Sequence, residues 1–249
     1  MEATQREKVI ELMKEIRLGA ARKVYDELVD RYNKTKRSHQ EFLLELLSHE
    51  SQSRKESALR SRIKRANFPQ IKDLDNFIFE EAEVDEASIR RLYTGEFIQN
   101  KSNVIFMGGS GSGKTHLATA IGYHNAQRGE HVRFYDLVEL VNELEAEKER
   151  GIPGALLKRL QKVNLIILDE LGYLPFSITG GQLLFHFLSQ CYESKSIVIT
   201  TNLDFGEWDS IFRNSKITVA LLDRLTHHSE IIETGIDSYR MKEKQNRSV

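Results

Sequence analysis

The sequence predicts an α/β protein. It should hold a five-stranded parallel sheet covered by helices on both faces, preceded by a small all-α domain. Three observations predict this. The chain of 249 residues changes character near Pro69, from continuous helical periodicity to short apolar runs alternating with helical stretches. A complete glycine-rich phosphate-loop pattern falls between the first of those runs and the helix after it. The only prolines, Pro69, Pro153 and Pro175, each separate patterned segments, as expected of a residue expelled from helix interiors and central strands.

The helical domain is expected over residues 1–67. Val9, Leu12, Met13 and Ile16 share one helical face, with Gly19 as the stop. Val24 and Leu28 continue the period in a second helix, with Tyr25 and Tyr32 alongside. Ser38 is placed to cap a third helix whose face is Phe42, Leu43, Leu46 and Leu47. Further along this helix, Arg54, Lys55, Arg60, Arg62, Lys64 and Arg65 stand against a single acid, Glu56. At about 100° per residue, Arg54, Lys55, Arg62 and Arg65 share one flank. That flank is either a contact for nucleic-acid phosphates or a solvated helix surface.

Residues 68–249 should form the sheet domain. Strands are predicted at 103–108, 131–136, 163–169, 196–202 and 229–234. Helices are predicted from the phosphate loop to about residue 128, after the second strand, across TGGQLLFHFLSQCYES, and briefly at 219–225. The net charge of −1 conceals an asymmetry. Residues 1–70 hold 16 Lys and Arg against 11 Asp and Glu, and the remainder hold 20 against 26. A basic head on an acidic body suggests separate partners, or chance clustering of solvated charge.

Composition excludes several classes. No run approaches about 18 apolar residues, so no membrane-spanning helix is expected. The start, MEATQREKVIELMKE, lacks the basic and apolar regions of a secretory leader. A single cysteine, Cys191, rules out an internal disulfide framework or a cysteine-rich zinc site. The expected location is the reduced cytoplasm.

The chemistry concentrates in three places. Gly108, Gly109, Ser110, Gly111, Ser112, Gly113, Lys114 and Thr115 fit G-x-x-x-x-G-K-[ST] in full. Glycines let the backbone wrap phosphate oxygens, and the helix start adds positive potential. Lys114 would reach the β- and γ-phosphates, and Thr115 would ligate Mg²⁺. The third strand delivers Asp169 and Glu170 at its carboxyl end, where ligands sit in open α/β sheets. Asp169 is expected to hold Mg²⁺ and Glu170 to orient or deprotonate the attacking water. The fourth strand ends in Thr200, Thr201 and Asn202, where the Asn202 amide either contacts γ-phosphate or the attacking water or simply makes a strand-end turn, the plain reading that Thr201 shares. Arg224 in ALLDRL either pairs with Asp223 or another acid or serves a neighbouring subunit's γ-phosphate, and Arg240 is open to the same two readings.

The segments FPQIKDLDNFIF, GGSGSGKTHLATA, LIILDELGYLPF, ITTNLDFGEW, ALLDRLTHHSEII and SYRMKEK together resemble the IstB family, ATPase helpers of bacterial insertion-sequence transposases. The wider group is the AAA+ ATPases related to the DnaC helicase loader and the DnaA initiator. The resemblance covers nearly the whole chain, including the helical head at HQEFLLELLSHE. It implies Walker A at Gly108 to Thr115 with His116 beside the nucleotide, Walker B at Asp169 and Glu170, and sensor I at Asn202. It implies an arginine finger at Arg224, and an adenine cradle at Asn76 and Phe77, whose ring has core packing as its other reading. Gly109 and Ser110 stand where the family often has two prolines, which loosens the loop but keeps its donors. Arg213 replaces a less basic residue and receives no role. The 15 residues from Gly235 onward are too few for a helical lid, so a lidless AAA+ core is expected, with nucleotide enclosed by a neighbouring protomer.

The expected function is an ATP-dependent helper that oligomerises on duplex DNA, recruits its cognate transposase and is reset by ATP hydrolysis. Lys158, Arg159 and Lys162 join the basic flank as candidate DNA contacts, or form a solvated face. A DnaC-like helicase loader is the alternative. It would favour single strands and a replicative helicase. A P-loop kinase would need a second pocket and a lid, and a non-catalytic scaffold would not need intact Walker motifs.

Overall fold

The computed structural model describes residues 4–35, 37–173 and 175–235. The chain divides into two compact units, Met1–Ser61 and Arg62–Val249. The division falls inside the third helix rather than at the Asn67 boundary drawn from the sequence.

The first unit is helical: α1 (Gln5–Glu15), α2 (Gly19–Lys34) and most of α3 (His39–Ala66). Thr4 and Glu7 cap α1 reciprocally, and Ser38 and Glu41 exchange the same pair of bonds at the start of α3. Gly19 does not stop α1. It opens α2, and Arg17 takes the left-handed position (φ +60°) instead. The Arg17 and Leu18 amides donate back to Lys14 O and Met13 O, which satisfies the last carbonyls of α1. Met13, Ala21, Leu28 and Leu46 form the core, and Tyr25 and Tyr32 each pack edge-on against Phe42.

The last turn of α3 belongs to the second unit. Ala66 is fully buried there, and Arg62 Nε donates to Ala126 O at 3.0 Å. Then follow 3-10 turns at Leu74–Asn76 and Phe79–Glu81, α4 (Glu86–Tyr93), α5 (Glu96–Gln99), β1 (Asn103–Met107), α6 (Lys114–Gln127), β2 (Val132–Asp136), α7 (Leu137–Glu149), α8 (Ala155–Arg159) and β3 (Leu165–Leu171). The chain continues through α9 (Ile178–Cys191), β4 (Ser196–Thr201), α10 (Trp208–Phe212), α11 (Ser215–His227) and β5 (Ser229–Glu233). The short helix expected at 219–225 begins earlier because Asn214 accepts from the Ile217 amide and caps it.

All five strands are parallel, in the order β2-β3-β4-β1-β5. Alternate side chains enter opposite cores. On β3, Ile166 and Leu168 join the cluster beneath α7, α9 and α11, while Leu165 and Ile167 join the one beneath α6. On β4, Ile197 and Ile199 take the first side and Val198 the second. Burial on both faces explains why these strands read as unbroken apolar runs. Among the described residues, no helix is long and apolar enough to cross a membrane.

Candidate nucleotide site

β1, β3 and β4 lie side by side, so their carboxyl ends bring three sequence-distant segments to one edge of the sheet. The loop from Gly108 joins β1 to α6. Gly108, Gly111 and Gly113 have φ of +154°, +83° and +97°. A Cβ at Gly113 would stand 2.8 Å from Phe77 Cε2, so only glycine admits both the turn and the ring.

Lys114 reaches back over the loop. Its ammonium lies 2.8 Å from Gly108 O, 2.6 Å from Gly109 O and 3.5 Å from Ser112 Oγ. Thr234 and Gly235, just after β5, close the other side of the loop. The Gly109 amide donates to Gly235 O at 2.8 Å, and the Ser112 and Thr234 hydroxyls meet at 2.6 Å. Thr234 falls in the predicted fifth strand, but nothing in the sequence signals its contact with a loop more than a hundred residues away.

Beneath the loop, Asp169 Oδ1 accepts from Thr115 Oγ1 at 2.9 Å and from Thr200 Oγ1 at 2.5 Å. Asp169 is only 6% exposed. Burial pushes its carboxyl above the ordinary range, and the hydroxyls of Thr200 and Thr115 offset part of that rise. Glu170 is exposed and left-handed, at φ +63°, and its amide donates to Thr200 Oγ1 at 2.9 Å. Asn202 follows the end of β4 and is exposed. A Cβ at Gly172 would meet its Oδ1 at 3.2 Å, so it borders the loop leaving β3.

Phe77 and His116, expected to border adenine, pack against each other beside Asp73. His116 Nε2 lies 2.9 Å from Asp73 O and its ring stands edge-on to Phe77. Burial lowers the His116 pKa, which favours the neutral ring. Tyr93 donates to Asp73 Oδ1 at 3.0 Å and stacks on His124. Asn76 ends the 3-10 turn before Phe77.

The arginines and lysines are dispersed. Arg224 on α11 is half-buried over the Phe185 ring, 5.0 Å from its centroid, and no ion pair to Asp223 forms among the described residues. Arg240 lies outside the described residues. Arg213 closes α10 in the left-handed conformation. Arg54 and Lys55 fall in the first unit, Arg62 and Arg65 in the second. Arg54 pairs with Glu50 and donates to Arg17 O, and Lys55 is exposed. Arg54 also joins Arg17, Arg22 and Lys23 around a basin of about 610 Å³, a convergence invisible in the linear charge pattern. Arg65 is exposed and its carbonyl accepts from Arg133. Lys158, Arg159 and Lys162 are exposed on and after α8, with Arg159 paired to Glu143.

The donor set suits Mg²⁺ with a polyphosphate. It is built of oxygen, and no cluster of three or more His, Cys, Asp or Glu occurs among the described residues. Magnesium at phosphate sites needs only one or two carboxylates, with phosphates and water completing the shell.

The sheet order, the glycine loop and the buried acid define a P-loop nucleotide-binding core of the AAA+ type. Residues 11–247 match the family described as IstB-like ATP binding protein, and the chain belongs to that family. It is 38% identical over 209 residues to the insertion sequence IS5376 putative ATP-binding protein of Geobacillus stearothermophilus, covering 84% of this chain and 83% of that one. It is 35% identical to the insertion sequence IS21 putative ATP-binding protein of Pseudomonas aeruginosa, covering 90% and 85%. The fold is similar to that of AMPPCP-bound DnaA from Aquifex aeolicus, with a TM-score of 0.56, 20% identity, and coverage of 73% of this chain and 56% of that one.

Proposed function

We propose that this protein is an ATP-dependent helper of an insertion-sequence transposase. In this reading it assembles on duplex DNA as a homo-oligomer, recruits the transposase and is reset by ATP hydrolysis. The names carried by its relatives support the association with insertion sequences. The observation that carries the ATPase reading is the grouping of Thr115, Asp169 and Thr200 below the loop, with Glu170 turned outward.

Each residue then has a task. Lys114 exchanges the Gly108 and Gly109 carbonyls for β- and γ-phosphate oxygens. Thr115 and Asp169 hold Mg²⁺, which supplies charge neutralisation at the phosphates when bound. Glu170 accepts a proton from the attacking water, and Asn202 orients that water or the γ-phosphate. Phe77 and His116 border the base. Arg224, lying over an aromatic ring, is the group offered to a neighbouring protomer. Arg54, Lys55, Arg62, Arg65, Lys158, Arg159 and Lys162 are the candidate phosphate-backbone contacts, and Arg62 and Arg159 would first release Ala126 O and Glu143.

Binding of labelled duplex and single-stranded DNA, with and without ATP, tests this reading. Duplex should be preferred and ATP should strengthen its binding. Lys114→Ala should weaken nucleotide binding about 100-fold and abolish the ATP effect. Equal duplex binding in all conditions would sink the proposal, and preference for single strands would favour a helicase loader.

A further inference from the structure

The pairing of β3 with β4 breaks at one point. Leu168 faces Ile199 and Leu171 faces Thr201, so Asp169 and Glu170 together oppose Thr200. This is a β-bulge, a device that re-aims side chains at functional edges. Glu170 occupies the left-handed region, which residues other than glycine seldom enter without support.

Thr200 supplies that support. Its side chain is 1% exposed and holds both acidic residues. The Glu170 amide can only donate, so at 2.9 Å it uses a lone pair of Thr200 Oγ1. The single hydroxyl hydrogen is then directed to Asp169 Oδ1, 2.5 Å away. Thr201 secures the far end of the bulge, donating to Leu171 O at 2.8 Å and accepting from the Leu203 amide at 3.0 Å.

We propose that Thr200 is the positioning residue that separates the two acidic roles. One hydroxyl holds the Asp169 carboxylate inward beside Thr115, and the same oxygen pins the bulge that turns Glu170 outward. The assignment rests on the ATPase reading for its effect on turnover, while its geometric half can be tested without nucleotide.

The experiment compares wild type, Thr200→Val, Thr200→Ser and Glu170→Gln. Valine keeps the shape and removes both hydrogen bonds, and serine keeps both. In the nucleotide-free protein, Thr200→Val should speed hydrogen exchange at the Glu170 amide about tenfold, and Thr200→Ser should not. With ATP, Thr200→Val should lower kcat about 10- to 100-fold while nucleotide Kd moves less than about threefold, and Thr200→Ser should recover most of the rate. Unchanged exchange or unchanged kcat in Thr200→Val overturns the proposal. So does a parallel loss of nucleotide binding and melting temperature in both variants, which marks a merely structural threonine. If wild type binds ATP but turns it over no faster than Glu170→Gln, the ATPase reading itself has failed. Thr200 then loses its assignment for that separate and recognisable reason.

Discussion

Glu50 in the helical unit and Asp169 in the sheet unit are both buried carboxylates, 7% and 6% exposed, yet they are surrounded in opposite ways. Burial opposes ionisation of Glu50, but Arg54 and the Ala21 and Ala20 amides outweigh it and hold the carboxyl below its ordinary value. Around Asp169 burial prevails. The hydroxyls of Thr200 and Thr115 compensate only part of it, and the charge of Lys114 adds a smaller effect. A carboxylate that holds structure is supplied with donors and a cation by its own unit. Asp169, which the proposed function assigns to Mg²⁺, has its burial compensated less fully, the condition in which a divalent ion is most welcome.

Asp169→Asn should draw the largest contrast. On the proposed function, ATP turnover should fall about 100-fold or more, because Mg²⁺ would lose one of its two protein ligands. The thermal melt should hold steady or rise by about 2–4 °C, since a buried charge with incomplete compensation has been removed. A melt that drops instead would erase the difference between the two sites. Glu50→Gln should act the other way, costing the helical unit about 1–2 kcal/mol in a urea melt, through loss of an ionised acceptor for two amides and Arg54.

The pH dependence has a definite sign. A depressed carboxyl in the folded state contributes stability above the ordinary carboxylate range and loses it as pH falls below that range. Wild type should therefore lose helical-unit stability on acidification more steeply than Glu50→Gln, as read by circular dichroism melts from pH 7 downward. Arg54→Ala should give the smallest change, about 0.5 kcal/mol, because the Arg54 side chain is 58% exposed and its pair with Glu50 is solvent-screened.

The contrast also marks what sequence reasoning could reach. The meeting of the glycine loop, Asp169, Glu170 and Asn202 at one edge of the sheet was legible because each lies at the end of an apolar run, and parallel strands bring such ends together. β1, β3 and β4 were legible because burial on both faces leaves little polar alternation. Thr200 was hidden inside ITTN, where a β-branched residue is an ordinary strand former and nothing announces a bulge on the neighbouring strand. Arg62 read as one of a flank of cations, and its hydrogen bond to Ala126 O joins residues far apart in the chain. The αL turn at Arg17 was missed because glycine is the usual occupant and Gly19 stood close by.

The bond between the Gly109 amide and Gly235 O has a mechanical consequence. Gly235 follows directly on β5 and the Thr234 contact with Ser112, so the nucleotide loop is tethered to the chain where it leaves the sheet. A pull on Gly235 would therefore be felt at the phosphate loop through Gly109, as well as at β1 through the Thr234 bonds to Met107 O.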